Sequence, residues 1–297
     1  MRVAVAGSSG FLGSHLVAAL RSDGHAVVRL VRRPPDGPDE VRWDPSAGVL
    51  APEALAHVDA VVNVTGATIG RPWWSDAYRR KIRDSRVGPT ATLARAVAAL
   101  DHRVAVLLNA SAVGYYGDTG DRPVDEQSPP GQGFLPDLAQ AWEAATAPAA
   151  DAGARVVRLR TGLPLHRDGG LLKPMLLPFR LGLGARLGSG RQYLPWISLA
   201  DWLGAVRFLL ARRDVAGPVN LTGPDPVTNA EFTRVLADVL HRPAVLVVPG
   251  AALKLALGPF GAEVLVSQRV LPGVLTRSGY AFQHTDLAAA LRAALAR

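Results

Sequence analysis

The sequence predicts an α/β fold, a doubly wound parallel sheet with helices on both faces, followed by a smaller C-terminal lobe. Short segments that are apolar almost throughout, such as 2–6, 26–31 and 104–109, alternate with segments of helical periodicity. Strands of this kind are buried on both faces, and the crossovers between parallel strands place helices there. After Gly162 the alternation gives way to connections rich in glycine and proline, which predicts a separate lobe.

The individual elements follow from the same periodicities. Short apolar runs predict strands at 2–6, 26–31, 59–64, 104–109, 154–159 and 218–221. Apolar residues at helical spacing predict helices at 13–22, about 88–100, 137–147 and from Thr285 onward. We therefore predict a first domain over 1–165, to which 195–221 return, and a smaller lobe over 166–297 whose last segment begins at about 248.

Composition narrows the class of protein. The 297 residues are 48% hydrophobic and 20% charged, which suits a folded globular chain. The net charge of +8 raises the possibility of a nucleic-acid partner. However, the arginines are spread along the chain without a basic stripe or interleaved aromatic residues, so we predict no nucleic-acid partner.

The sequence also bears on metal sites, disulfides and the cellular location of the protein. With no cysteine, disulfides, thiol catalysis and zinc–thiolate sites are excluded, and we predict no metal site. The first strand begins at Arg2, which leaves no room for a signal peptide, and no apolar run reaches the ~18 residues of a membrane helix. We expect a cytoplasmic monomer or homodimer without membrane contact that acts on a small molecule.

The first candidate site is the glycine-rich turn GSSGFLG at 7–13, between the first strand and the first helix. In a Rossmann-like dinucleotide site, Gly7 would allow a tight turn and Gly10 would let the backbone approach a pyrophosphate. Gly13 would let the helix pack on the strand, and Phe11 and Leu12 would lie at the helix N-terminus that faces the phosphates. A purely structural turn is the alternative.

The end of the second strand bears on the choice of cofactor. The strand ends in Val31, Arg32 and Arg33, and the first acidic residue after them is Asp36. An acid at this point binds the ribose 2′-hydroxyl of NAD, whereas an arginine accommodates the 2′-phosphate of NADP. The sequence therefore favours NADP(H), with NAD(H) as the weaker candidate and a solvated basic turn as the alternative.

Several motifs together resemble the extended short-chain dehydrogenase/reductases. They include GSSGFLG, DAVVNVTGA at 59–67, KIRDSRVGPT at 81–90, SAVGYYG at 111–117, and VPGAALKLALG and SQRVLPGVLTRSGYAF in the tail. Within that family the chain is most similar to the atypical branch of NAD-dependent epimerase/dehydratase-like proteins, which carry a C-terminal domain of unknown function. The resemblance covers nearly the whole chain and implies a Rossmann-like fold.

The resemblance implies further cofactor contacts. Val64, Thr65 and Gly66 match the loop along the adenosine side of the cofactor, with a small-residue turn as the alternative. Arg86 stands where this branch is expected to reach the cofactor, and paired hydrogen bonds from its guanidinium would suit a phosphate or ribose oxygen. An ion pair of Arg86 with Asp84 is the other reading. Pro164 matches a segment that lines the nicotinamide.

The catalytic residues of the family are only partly retained. Ser111 stands at the place of the catalytic hydroxyl, but the tyrosine and lysine of the Tyr-x-x-x-Lys motif fall on Leu135 and Ala139. Tyr115, or its neighbour Tyr116, is a substitute proton donor, with a pocket wall as the alternative role. His166 is a further candidate for proton transfer that can equally be an exposed loop residue.

A last segment, 182–196, resembles the substrate-side loop of the epimerases. Its cationic and aromatic residues would suit an anionic or flat substrate, unless the segment is only a folded connector; they are Arg186, Arg191, Gln192, Tyr193 and Trp196. We interpret the chain as an NADP(H)-dependent oxidoreductase or epimerase-like protein. The alternative is a redox sensor or scaffold that binds NADP(H) without turnover.

Overall fold

The computed structural model describes residues 1–100 and 104–296. The strands are β1 (Arg2–Ala6), β2 (Ala26–Val31), β3 (Glu40–Arg42), β4 (Ala60–Asn63), β5 (Val106–Ala112), β6 (Arg155–Thr161), β7 (Leu163–His166), β8 (Gly169–Gly170), β9 (Ala185–Leu187), β10 (Tyr193–Leu194), β11 (Trp196–Ser198), β12 (Gly217–Leu221), β13 (Val227–Thr228) and β14 (Leu246–Val248). The α-helices are α1 (Phe11–Ser22), α2 (Asp76–Ala98), α3 (Phe134–Ala144), α4 (Ala147–Asp151), α5 (Leu172–Arg180), α6 (Leu199–Ala211), α7 (Asn229–Leu240), α8 (Gly250–Leu257), α9 (Pro259–Glu263), α10 (Gly273–Arg277) and α11 (Leu287–Leu295).

The main sheet has seven parallel strands in the order β12-β6-β5-β4-β1-β2-β3. The strand order reverses beside β1, and ligands of such sheets bind at the carboxyl ends of the strands near this point. Val3 and Val5 on β1 are fully buried, as are Val61 and Val62 on β4. The predicted fold class, a doubly wound parallel sheet of the Rossmann type, is therefore confirmed.

Helices cover both faces of this sheet. On one face, Leu16 and Leu20 of α1 and Trp202 of α6 pack in one core with residues of β1, β4 and β5. On the other face, Leu93 and Val97 of α2 pack in a second core. Burial of the strands on both sides explains why their sequences are apolar throughout.

The second half of the chain builds a smaller lobe and also returns to the main sheet. Strands β11, β7 and β8 form a three-stranded sheet, and β14 pairs with β9 in a two-stranded ribbon. Helices α7 and α11 pack in a third core together with α5. Strand β12 forms the edge of the main sheet beside β6. The division into a first domain over 1–165 and a lobe over 166–297 stays a prediction.

The C-terminal tail runs back along the loop that follows β5. Val124 and Val270 form a parallel bridge. Ser267 accepts a hydrogen bond from the backbone N–H of Thr119 at 2.8 Å through its carbonyl oxygen, and the amide of Gln268 donates to the carbonyl oxygens of Val113 and Gly117. The tail therefore holds the loop that begins next to Ser111.

A buried carboxylate joins α6 to the end of the tail. Asp201 is 1% exposed and accepts hydrogen bonds from the backbone N–H groups of Gln283 and His284 at 2.7 and 3.0 Å. It also accepts from the hydroxyl of Ser198, which caps α6. Asp201 thus braces α6 against the tail.

The predicted start of α2 is wrong by about three helical turns. The helix predicted to begin near Gly88 begins at Asp76, where the Ser75 side chain caps it. The prediction rests on the run rich in alanine and leucine, which covers only the second half of the helix. Proline inside a helix removes one backbone hydrogen bond. Pro89 lies inside the helix and is buried, so packing against the sheet outweighs the loss of one hydrogen bond.

Among the described residues, no helix is both long and apolar enough to cross a membrane.

Candidate cofactor cleft and active site

The glycine-rich turn is held tightly between β1 and β4. Gly7 has a φ of +83°, which favours glycine, and a Cβ there would lie 2.8 Å from the backbone of Val64. A Cβ at Gly13 would lie 2.1 Å from the carbonyl oxygen of Gly7. Both glycines are thus required by the packing of the protein itself. Gly10 differs, because a Cβ there would meet only the Gly7 oxygen, at 3.3 Å.

The turn leaves the N-terminus of α1 open. Gly10 occupies the N-cap position, no side chain caps the helix, and no acidic residue stands in its first turn. The first N–H groups of a helix lack partners within the helix and carry a partial positive charge, so they attract anions. Leu12 anchors this end of α1 because it packs against the main core.

Arg86 lies against the loop that follows β4. Its guanidinium donates to the carbonyl oxygens of Ile82 and Ala67, both at 3.0 Å. A Cβ at Gly66 would lie 3.1 Å from the guanidinium carbon, so glycine at 66 makes room for this side chain. No carboxylate in 1–100 or 104–296 pairs with it, and the alternative ion pair with Asp84 does not form. Burial lowers the pKa of Arg86 to about 10.

At the end of β2 the two arginines have different surroundings. Arg33 donates to both carboxylate oxygens of Glu40 at 2.8 Å. Glu40 is buried and also pairs with Arg29 at 2.9 Å. Arg32 is exposed, and within the described part of the chain it has no hydrogen-bond or ion-pair partner. Val31 is buried beneath it. The cation left available at this point is therefore Arg32.

Ser111 belongs to a buried polar network at the carboxyl ends of β5 and β6. Its hydroxyl donates to Glu143 Oε1 at 2.7 Å, and Ser111 is 3% exposed. Arg160, its register partner on β6, binds the same carboxylate through Nε at 2.7 Å and Nη2 at 2.9 Å. Burial would lower the pKa of Arg160, but the hydrogen bonds and charge of Glu143 outweigh burial and raise it.

The two adjacent tyrosines have distinct roles in this network. Tyr116 is buried, accepts from Arg160 Nη1 at 2.9 Å and donates to Asn220 at 2.8 Å. Burial raises the pKa of Tyr116 to about 12. The guanidinium of Arg160 stacks on the ring of Tyr115, 3.5 Å from its centre. The Tyr115 hydroxyl has no hydrogen-bond partner among the described residues, so Tyr115 is the tyrosine left available for proton transfer.

The two positions that resemble the lost Tyr-x-x-x-Lys are apolar in their surroundings as well. Leu135 packs in a small cluster with Trp74 and Phe134, and a Cβ at Gly114 would lie 3.4 Å from it. Ala139 is 2% exposed. Neither side chain can move a proton.

The remaining candidates cluster beside α1. Phe11 lies within 5.6 Å of the rings of His15 and His166, and those two rings are 4.9 Å apart. Burial and the nearby His15 lower the pKa of His166, whose Nδ1 accepts from the backbone N–H of Asp168. Pro164 lies on β7, two residues before His166. His166 therefore packs against Phe11 and His15 of α1.

For the segment 182–196, the proposed surface over the cleft is wrong at three residues. Trp196 is 1% exposed, and its indole N–H donates to the backbone carbonyl oxygen of Asp225. Gln192 is buried, and its side-chain amide donates to the carbonyl oxygen of Leu187. Arg186 lies against α7 and lines a cavity in the lobe. Gln192 and Trp196 thus donate to backbone carbonyl oxygens of the protein, and neither is presented to a ligand.

Sequence reasoning missed the groups that organise the site, Glu143, Arg160 and Glu40. A signal was present, because Glu143 follows Trp142 on the buried face of α3 and Arg160 interrupts an apolar strand. Charged residues at core positions are almost always paired. The partner of each, however, depends on strand register, which the sequence does not reveal.

Comparison with known proteins gives the family. The NAD dependent epimerase/dehydratase family matches residues 3–221, and a domain of unknown function (DUF1731) matches residues 248–294. Epimerase family protein MT2273 of Mycobacterium tuberculosis is 51% identical over 296 residues, 99% of this chain and 98% of that protein. Human epimerase family protein SDR39U1 is 36% identical over 98% of this chain and 99% of that protein.

Solved structures agree with these relatives. The crystal structure of human SDR39U1 (isoform 2) with NADPH has a TM-score of 0.90 at 34% identity, over 99% of this chain and 98% of that chain. A nucleoside-diphosphate sugar epimerase from Corynebacterium glutamicum has a TM-score of 0.82 at 34% identity, over 98% of this chain and 57% of that chain. The chain therefore belongs to the NAD dependent epimerase/dehydratase family, as an extended short-chain dehydrogenase/reductase with the DUF1731 domain at its C-terminus.

Proposed function

We propose that this protein binds NADP(H) in the crevice at the carboxyl ends of β1, β2 and β4. Arg86 is the observation that carries the proposal, because its guanidinium lies half-buried beside Gly66 with no carboxylate partner in the described residues. A half-buried charge without a counter-ion is costly, and a phosphate or ribose oxygen would compensate it. The open N-terminus of α1 and exposed Arg32 add two further sites for phosphate oxygens.

The proposed cofactor contacts are those predicted from the sequence. In this arrangement the backbone of the turn and first helical residues receives the pyrophosphate, Arg32 receives the 2′-phosphate, and Arg86 reaches the cofactor from α2. Arg33 acts through Glu40 and supports the loop. The full set of residues that we assign to the cofactor site, with Arg33 in a supporting role, is Gly7, Gly10, Phe11, Leu12, Gly13, Val31, Arg32, Arg33, Val64, Thr65, Gly66, Arg86 and Pro164. The human relative crystallised with NADPH supports this cofactor.

We expect Arg32→Ala to weaken NADPH binding by about 10- to 100-fold, because one or two hydrogen bonds to a charged phosphate would be lost. NADH binding should change little, since NADH lacks that phosphate. Titration of the purified protein, followed by the fluorescence of bound nucleotide, gives both affinities. Arg33→Ala is the matched control, and it should change the ratio of NADPH affinity to NADH affinity less than Arg32→Ala does. Equal affinity of the unaltered protein for NADH and NADPH would contradict the assignment.

The chemistry we propose is an oxidoreductase or epimerase-like reaction on a small molecule. When bound, NADPH supplies a hydride to a substrate carbonyl carbon. Tyr115 has the free hydroxyl, so it donates the proton that the substrate oxygen then needs. Ser111 has a single O–H group, which donates its hydrogen bond to Glu143. It can therefore polarise a substrate oxygen only after it breaks that hydrogen bond. The guanidinium of Arg160 stacks on the ring of Tyr115 and so fixes its position.

This mechanism predicts a large loss of turnover in Tyr115→Phe. A missing general acid typically slows the chemical step by about 10²–10⁴-fold. Oxidation of NADPH at 340 nm with a panel of quinones, enones, aldehydes and nucleotide sugars measures this loss. Ser111→Ala should also slow turnover, whereas NADPH affinity should stay unchanged in both variants. Turnover that neither substitution alters would rule out this active site.

A second function is favoured by one observation, the apolar character of Leu135 and Ala139. With no proton donor at the family's usual position, the protein would bind NADP(H) without turnover and serve as a redox sensor or scaffold. NADPH binding without oxidation across the whole panel would favour this reading. Cytoplasmic location and assembly as a monomer or homodimer belong to the proposal under either function.

A further inference from the structure

A cavity of about 350 Å³ lies in the C-terminal lobe, between α7 and the two-stranded ribbon of β9 and β14. Its walls contain none of the glycine-rich turn, Arg86, Ser111 or Tyr115. It is therefore a space that the proposed function does not use.

The sequence of α7 explains why this space exists. Ala230, Thr233 and Ala237 line the cavity and follow helical spacing, so they form one stripe of short side chains along the helix. The ribbon lies opposite, with Arg186 and Val247 as paired residues on its two strands. Short side chains on the helix leave a gap that the ribbon does not fill.

The cavity is positively charged. Arg186, Arg234 and Arg242 line it, against the single carboxylate of Asp238. Arg234 pairs with Asp238 at 3.0 Å, but both side chains are exposed, and an exposed pair of this kind holds its partners weakly. Arg242 donates to the backbone carbonyl oxygens of Arg180 and His241, which leave its charge uncompensated. The excess is two positive charges.

Two polar atoms around the cavity have no protein partner in the described residues. Arg186 Nε and Thr233 Oγ1 are both shielded from solvent and make no hydrogen bond. Arg186 lies directly over Gly190, where a Cβ would be 2.3 Å from its Cδ. Gly190 in turn accepts from the N–H of Ala230 through its carbonyl oxygen at 2.9 Å. The side chain of Arg186 is thus packed against the turn at Gly190, which is itself hydrogen-bonded to the start of α7.

We infer that this cavity binds a small organic molecule that carries a phosphate group. A phosphate monoester has a charge of about −1.5 to −2 near neutral pH, which matches the excess of two positive charges. Guanidinium groups bind phosphate by paired hydrogen bonds, and Arg186 and Arg242 are available for them. Val245 and Val247 supply an apolar wall for the organic part.

Calorimetric titration with phenyl phosphate tests this inference on the full-length protein saturated with NADPH, so that the proposed cofactor cleft is already filled. We expect saturable binding of one phenyl phosphate per chain. Benzoate is the matched probe with a carboxylate in place of the phosphate, and it should bind at least about tenfold more weakly, because it carries half the charge. Equal binding of benzoate would contradict the choice of phosphate.

Variants locate the site. Arg186→Met keeps an unbranched apolar side chain at this position and removes the charge, and it should weaken phenyl phosphate binding by about tenfold or more. Arg242→Gln alters an exposed residue and should weaken binding in the same direction without disturbing the fold. Arg292→Met is the control, since Arg292 lines a different cavity beside α7 and α11. An effect of the control equal to that of Arg186→Met would overturn the inference.

The outcome is separable from that of the proposed function. If phenyl phosphate fails to bind while NADPH binds, the lobe site is excluded and the cofactor cleft stands. If NADPH fails to bind, the phenyl phosphate titration is repeated on the protein alone, and saturable binding that depends on Arg186 supports the lobe site by itself.

Discussion

Glu143→Ala is expected to lower the free energy of unfolding by about 3–5 kcal/mol, because it leaves a buried guanidinium without its counter-ion. Arg160 is 3% exposed, and among the described residues its only ion-pair partner is Glu143. Ser111 would lose its acceptor at the same time. Urea denaturation followed by circular dichroism measures the change, as a shift of the midpoint at constant slope.

A double-mutant cycle separates the ion pair from its surroundings. Arg160→Met should also destabilise the protein, since it leaves the Glu143 carboxylate buried and unpaired. The double variant Glu143→Met, Arg160→Met buries neither charge, so it should be less destabilised than the sum of the single variants. Strict additivity, or a loss below about 1 kcal/mol in the single variants, would show that the pair is solvated.

Gly10→Ala is expected to reduce NADPH affinity on the order of 100-fold while the melting temperature stays nearly constant. The φ of Gly10 is −76°, which alanine adopts, and a Cβ would meet only the Gly7 oxygen, at 3.3 Å. A methyl group here requires the Gly7 oxygen to move by only a few tenths of an ångström, so we expect a small loss of stability. A bound pyrophosphate would not tolerate the methyl group, because it must approach the backbone at this residue. Loss of one hydrogen bond to a charged phosphate oxygen together with steric conflict accounts for the expected magnitude.

Gly13→Ala provides the contrast. Its Cβ would lie 2.1 Å from the Gly7 carbonyl oxygen, so the turn must move and stability must fall along with affinity. Thermal melts and fluorescence titrations of the two variants, made side by side, separate the requirements of the fold from those of the ligand. If Gly10→Ala bound NADPH as tightly as the unaltered protein, the pyrophosphate would have to lie elsewhere.

The parts of the fold that the sequence could predict are those with local causes. The bounds of β1 and β2 agree with the prediction residue for residue, because each is an apolar run that ends at a turn. The three glycines of the turn were recognised by their position between a strand and a helix. The surrounding atoms distinguish them. The packing of the protein requires glycine at Gly7 and Gly13, whereas at Gly10 we propose that the ligand requires it.

The parts that could not be predicted depend on distant residues. Arg32 and Arg33 are neighbours of the same type, yet only Arg33 meets a carboxylate, because β3 brings Glu40 beside β2. That strand is three residues long and has too little periodicity to be recognised. Likewise, Tyr115 and Tyr116 are distinguished by Asn220, which lies 104 positions later on β12.

The same limit applies to the candidate catalytic centre. The absence of a Tyr-x-x-x-Lys motif is visible in the sequence, but the network of Glu143 and Arg160 is not, since it joins α3, β5 and β6. The family resemblance predicts the proton donor and its lysine at Leu135 and Ala139, which are apolar. The polar groups of the site lie instead one turn further along α3 and on the next strand.

The attachment of the tail to the loop after β5 has a consequence for biosynthesis. Gln268 binds the carbonyl oxygen of Val113 across 155 positions of the chain, so the loop beside Ser111 receives its support only after nearly the whole chain has left the ribosome. Contacts this distant in sequence form late and slowly. A nascent chain released before the DUF1731 segment would contain every strand of the main sheet and still lack an ordered active-site loop. Premature termination would then leave this loop without its support, even though the main sheet is complete.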